Sequence, residues 1–172
     1  KQKIRQIFPS EQLGPVMRFD PATSRRNIQM GYYDTMRFMR ELPGQLYYFS
    51  EKADGFAAFA ALPENAIKAA GIPLRLPEGL SPRRALFEHI LPAVAAELRL
   101  PREAGYDDLL LALMEHRAEQ LGIGRFRWYT PAQLQAVIAE STALPEEPRR
   151  PLLRSRPLEA AEILAAALPL LG

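Results

Sequence analysis

Sixteen prolines in 172 residues limit the length of almost every helix this chain can form. A proline inside a helix removes one backbone hydrogen bond and crowds the turn before it. Their positions turn that limit into a plan. Pro21, Pro82 and Pro131 each follow a residue suited to cap a helix, namely Asp20, Ser81 and Thr130. Proline is well placed at the first helical position, where its missing N–H has no partner to lose. Pro43, Pro73, Pro77 and Pro101 end segments. Between residues 145 and 157 the prolines become dense, with Pro148 and Pro151 inside the stretch, which predicts an extended, mobile linker.

Between these marks the apolar spacing predicts a mainly α chain, an irregular helical bundle with one or two short strands near its N-terminus. Residues 4–8 read as a strand, 21–42 as a long helix and 46–49 as a short strand after the Pro43-Gly44 turn. Helices follow over 51–62, 64–70, 82–98, 106–121, 131–139 and 158–168, with Gly71 and Gly122 as stops. Pro92 bends or divides the helix over 82–98, and 126–129 is a short strand or an extended connector. No internal repeat of fixed period is present.

The helix that opens at Asp20 carries the most information. Ile28, Tyr32, Met36 and Met39 recur at spacings of four, four and three, which predicts one buried apolar face. Beside that stripe lie Asn27, Gly31 and Asp34. A glycine in a helix interior costs about 1 kcal/mol relative to alanine, so Gly31 is expected where a neighbouring backbone packs closely. Tyr32, Tyr33, Tyr47, Tyr48 and Phe49 form an aromatic set that belongs most simply to the core.

In their order and spacing, several short motifs here are similar to the end of the catalytic domain in bacterial patatin-like phospholipases, serine acyl hydrolases of the patatin family. They are the strand-like residues 4–10 ending in Pro9-Ser10, Leu13-Gly14, Phe19-Asp20-Pro21, Arg25-Arg26-Asn27-Ile28, Gly31-Tyr32-Tyr33-Asp34-Thr35, the turn at Gly44 and the aromatic segment 46–49. The resemblance covers residues 1–49 best. It is looser over 106–140, where Phe126-Arg127-Trp128-Tyr129-Thr130 between two helices resembles that branch's C-terminal helical region. It implies three parts: 1–49 as the end of a hydrolase domain, 50–142 as a helical C-terminal domain, and 143–172 as a proline- and arginine-rich linker with a terminal helix.

A patatin-like hydrolase uses a serine in a Gly-x-Ser-x-Gly elbow, where glycines relieve a strained turn, together with an aspartate in Asp-Gly-Gly or Asp-Gly-Ala. This chain has serines only at 10, 24, 50, 81, 141 and 155, and none is flanked by glycine. No glycine-rich loop offers an oxyanion hole. Asp54-Gly55 is followed by Phe56 and reads as a turn or helix start. With Lys1 as its first residue, the chain is expected to be the non-catalytic C-terminal portion of a longer lipid acyl hydrolase. Its expected partners are that protein's catalytic domain and, through it, a lipid or ester substrate. The rival expectation is an autonomous helical interaction module. Asp20, Asn27, Gly31, Tyr32, Tyr33 and Asp34 are the candidate structural or interface residues. Asn27, Gly31 and Asp34 would either orient the hydrolase site or, more simply, serve locally, with Asp34 pairing with Arg37.

Other chemistry is thin. A formal charge of +2 with no basic stripe interleaved with aromatics argues against nucleic acid. The absence of cysteine removes disulfides and thiolate metal sites and fits a reducing, cytoplasmic setting. Glu88-His89 and Glu115-His116 with Glu119 do not complete a Glu-x-x-His carboxylate set, so no metal or other cofactor is expected, and Glu115 and Glu119 are read as solvated. Arg149, Arg150, Arg154 and Arg156 before the apolar segment 158–171 resemble a weak membrane-surface anchor. Glu159 and Glu162 oppose that, and a helix packing back onto the protein, or a disordered tail, is the simpler expectation. Self-association stays open.

Overall fold

A computed structural model describes residues 6–14, 20–77, 79–143 and 155–168. The architecture is mainly helical, as the spacing predicts. Helix α1 spans Pro21–Met39, followed by strand β1 (Tyr48–Phe49), α2 (Gly55–Ala60) and α3 (Glu64–Gly71). Next come α4 (Pro82–Arg84), a π-helical stretch Ala85–Ile90 and α5 (Leu91–Glu97) without interruption. The remaining elements are α6 (Tyr106–Gln120), β2 (Trp128–Tyr129), α7 (Pro131–Ala143) and α8 (Arg156–Ala167). Among the described residues no helix is long and apolar enough to cross a membrane.

Local chemistry sets the helix ends. The Asp20 carboxylate accepts from the Thr23 amide at 3.0 Å and the Thr23 hydroxyl at 2.6 Å, which caps α1. These bonds, the hydroxyl first, hold its carboxyl below the usual range. The predicted span of 21–42 is too long. Glu41 turns left-handed at φ 52°, and the Leu42 and Glu41 amides donate back to Arg37 O at 3.0 Å and Phe38 O at 3.3 Å. That is a Schellman closure, made without glycine. Gly122, at φ 69°, closes α6 in the same way, with Ile123 N donating to Ala118 O at 3.0 Å.

Pro92 does not divide its helix. The preceding turn widens to π geometry, with the Leu91 amide donating to Leu86 O. Widening there accommodates the missing donor of Pro92, the usual setting for a π turn within an α-helix. Asp54 caps α2, accepting from the Ala57 amide at 2.9 Å, so Asp54-Gly55 is a helix start.

The expected strand over 4–8 is not formed in its described part, because residues 6–8 are irregular and have no strand partner. β1 pairs instead with β2, in parallel, with Tyr48 opposite Trp128 and Phe49 opposite Tyr129. This two-strand clasp ties the chain after α1 to the chain after α6.

One apolar core serves most of the molecule. It runs from Tyr47 and Phe49 through Phe59, Leu62, Ile67, Leu86, Ile90, Val94 and Leu113 to Ala160, Ala161 and Leu164. The core therefore crosses the boundaries drawn at 49/50 and 142/143. α8 packs back onto the protein, against α3, α5 and α6. The linker over 145–157, with Arg149, Arg150 and Arg154, lies outside the described residues up to its end. There Ser155 caps α8, and Arg156 and Pro157 form its first turn.

Candidate functional site

α1 meets the body of the protein with its polar side. Met30 is fully buried, and around it on the inward face stand Arg26, Asn27, Tyr33, Asp34 and Arg37. The predicted buried stripe is on the outside: Ile28 is 72%, Tyr32 58% and Met39 70% exposed, with Met36 half-buried. The reason is what lies opposite. The surface beneath α1 presents the carbonyls of Gly44 and Gln45, the Tyr48 hydroxyl and Ser10, and buried polar groups must be paired.

Asp34, only 3% exposed, organises this face. Its Oδ1 accepts from the Tyr48 hydroxyl at 3.0 Å and from Arg37 Nη2 at 3.0 Å. Its Oδ2 accepts from the Ser10 amide at 2.8 Å and the Ser10 hydroxyl at 3.1 Å. All four acceptor positions of the carboxylate are taken. Arg37 also donates to Gly44 O at 3.2 Å and Gln45 O at 2.6 Å and lies 5.2 Å over the Tyr48 ring. Local pairing of Asp34 with Arg37 is therefore correct but incomplete, since the carboxylate also gathers two distant segments.

Arg125, from the connector before β2, completes the cluster. Its Nη2 donates to Ser10 Oγ at 2.6 Å and Tyr48 Oη at 3.3 Å, and its Nη1 is paired with Glu11. Glu11 also pairs with Arg26. Burial pushes the Glu11 carboxyl up, but the two guanidiniums outweigh it and hold the group below the usual range. Arg125 lies over both Tyr48 and Phe126, and Tyr33 stacks on Tyr48 with centroids 4.8 Å apart. Cation–π contact of this kind adds on the order of 1 kcal/mol. Arg125 Nε and Asn27 Oδ1 are buried without a partner, while Asn27 Nδ2 donates to Leu13 O at 3.1 Å.

A second buried carboxylate sits nearby. Glu115, read from sequence as solvated, is 3% exposed. Its Oε1 accepts from the amides of Gln45, Leu46 and Tyr47 at 2.8, 3.0 and 2.9 Å. The turn that aims these amides needs Gly44, at φ 100°, where an added Cβ would lie 2.7 Å from Tyr47 O and 2.8 Å from the Phe49 ring. Burial pushes the Glu115 carboxyl above the usual range, against the pull of the three amides and Arg37. Glu119, by contrast, is exposed.

The predicted interface residues separate into two groups. Asn27, Tyr33 and Asp34 face the cluster, Asp20 caps the helix, and Gly31 and Tyr32 face out. Gly31 is not crowded: an added Cβ meets nothing within 4 Å. Close packing is found instead at Gly55, where a Cβ would lie 2.1 Å from Tyr106 O, and at Gly44 in the turn before β1. Ser10, Glu11, Tyr48, Arg125 and Glu115 were not singled out from sequence as members of a polar site. Only Glu115 left a signal there, as a lone acid in line with the apolar residues Leu111 and Ala118 on α6.

Chemically the cluster is a tie. Ser10 donates to a carboxylate that is already saturated, and the convergent amides of residues 45–47, which could hold an oxyanion, are filled by Glu115. His116 is engaged by Gln120 at 3.1 Å and His89 is exposed. Among the described residues no group of histidine and carboxylate side chains is disposed to hold a metal ion. Comparison of the chain with protein-family models, with curated proteins and with solved structures finds no match.

Proposed function

We propose that this chain is the non-catalytic C-terminal portion of a patatin-like lipid acyl hydrolase, acting as the scaffold on which the catalytic domain of the same protein rests and by which access to its active site is controlled. Asp34 carries the reading. The motif residues that resemble the family, from Asn27 through Asp34 to Gly44, are used to bind chain segments together, with α1 as the hub. A scaffold needs such ties, whereas a catalytic site would keep a nucleophile and an electrostatic hole open to substrate. The lipid or ester substrate would be met through the catalytic domain, in the cytoplasm or at a membrane surface.

The exposed apolar side of α1 also suits an autonomous interaction module, and the parent open reading frame separates the two. The hydrolase reading expects Gly-x-Ser-x-Gly and Asp-Gly-Gly or Asp-Gly-Ala upstream of this segment. It also expects p-nitrophenyl ester hydrolysis by the full-length protein, blocked by a fluorophosphonate, and none by this chain alone. Serine-dependent turnover by the chain alone, or a parent lacking both motifs, refutes it.

A further inference from the structure

We propose that the cavity beside Glu115 binds a short aliphatic diamine in its protonated form, with one ammonium on the buried Glu115 carboxylate and the other on Asp108 and Glu103 at the mouth. The site does not depend on the hydrolase reading.

Glu115 is 3% exposed, yet it forms an ion pair with no lysine, arginine or histidine among the described residues. Arg37, whose charge acts on it, is already bound to Asp34 and to the carbonyls of Gly44 and Gln45. The amides of Gln45, Leu46 and Tyr47 all meet Oε1, and they carry no net charge. Oε2 makes no hydrogen bond to any described residue. A buried carboxylate needs a cation or a proton to neutralise it. Glu115 also lines a cavity of about 220 Å³ between the turn at Gly44, the connector 100–104 and the first turns of α6, so a cation of modest size can reach it.

The walls select the guest. The charged side chains lining the cavity are Glu103, Asp108 and Glu115, all acidic, while Leu100, Pro101, Leu111 and Ala112 give it an apolar wall. Asp108, Leu111, Ala112 and Glu115 share one face of α6, at spacings of three, one and three. Asp108 therefore stands about 10 Å from Glu115 along the helix axis. It is exposed, and while its Oδ2 accepts from the Gly105 amide at 2.9 Å, its Oδ1 has no hydrogen bond among the described residues. Glu103 is exposed as well. Inner carboxylate, apolar stretch and outer carboxylates match ammonium, alkyl chain and ammonium in that order. A metal ion does not fit, because among the described residues no group of acids is disposed to hold one. A monoamine leaves the outer acids unused.

Putrescine titrated at neutral pH into the chain is expected to shift the amide NMR signals of Gln45, Leu46 and Tyr47 in a saturable way. Glu115→Gln should weaken binding about tenfold or more, the scale of a hydrogen bond to a charged group. Ala112→Leu fills the cavity and leaves the carboxylate in place, so it should weaken binding too and keeps the test independent of the Glu115 variant's folding. n-Butylamine should bind about threefold more weakly than putrescine, the scale of an exposed ion pair. Glu103→Gln combined with Asp108→Asn should remove that difference. No saturable shift overturns the proposal, since Glu115 is then neutralised by a proton. Undiminished binding to Glu115→Gln overturns it by assigning the amine to the exposed acids alone. Equal affinity for n-butylamine and putrescine in the parent chain overturns the diamine assignment, and tighter binding of Mg²⁺ than of putrescine at the same amides would make the site a metal site.

Discussion

Replacing Glu115 by alanine removes the single acceptor shared by the amides of Gln45, Leu46 and Tyr47. A buried donor left unpaired costs about 1–3 kcal/mol. Three are stranded at once, but they lie beside a cavity of about 220 Å³ that can admit water to some of them. The expected loss is therefore about 3 kcal/mol, or about 6–12 °C in melting temperature for a domain of this size. Glu115→Gln keeps an oxygen in place of Oε1 and should cost less than about 1 kcal/mol. The pair of variants also reads out the charge. The Glu115 carboxyl is pushed up from its ordinary value of 4.5 by burial, so the native state takes up a proton before the unfolded chain does. Its contribution is fully present below the ordinary value and declines as pH rises through the raised one. Urea melts from pH 4 to 8 should show the parent losing stability relative to Glu115→Gln as pH increases. A Glu115→Ala protein that melts within 2 °C of the parent would show that the Glu115 carboxylate does not hold the turn. A parent that gains on Glu115→Gln with rising pH would show that the amides and Arg37 outweigh burial.

Three further outcomes follow from the same geometry. Gly55→Ala should destabilise by at least about 1–3 kcal/mol, measured by urea melts, because its Cβ would collide with the Tyr106 carbonyl and displace the start of α6. Asp34→Ala should cost about 3 kcal/mol, since it leaves the Arg37 guanidinium and the Tyr48 hydroxyl without their shared acceptor. In Glu11→Gln the pairs with Arg26 and Arg125 lose their charge. The deficit should be full at neutral pH and should close as pH falls through the lowered Glu11 pKa, as read by thermal melts across pH 3–7.

α1 shows how far periodicity can mislead. Its N-terminal cap was legible because Asp20, Pro21 and the residues they serve are neighbours in the chain, whereas its closure at Glu41 carries no glycine to announce it. Its apolar spacing was also read correctly as a stripe. The stripe faces outward because the inward face is chosen by partners that lie far away in sequence: Ser10, Tyr48 and Arg125 are 24, 14 and 91 residues from Asp34. A helix packs its polar side inward when enough donors and acceptors wait there to pair it, and a spacing rule carries no information about them. The same holds for the glycines. Gly31 in mid-helix suggested crowding and met open space, whereas Gly55, at an ordinary-looking helix start, lies against the backbone of α6.

The prolines, the cap residues and the apolar spacing by themselves determined that this chain folds mainly into short helices, and where most of them begin. These depend on hydrogen bonds and steric limits within a few residues. Tertiary structure alone decided that β1 pairs with a strand 80 residues away, that α8 closes the core, that Glu115 is buried and that α1 turns its apolar stripe outward. Each of those depends on which surfaces meet. A buried charge or an exposed leucine-sized side chain is set by the groups opposite it, and the chain order does not state which groups those will be.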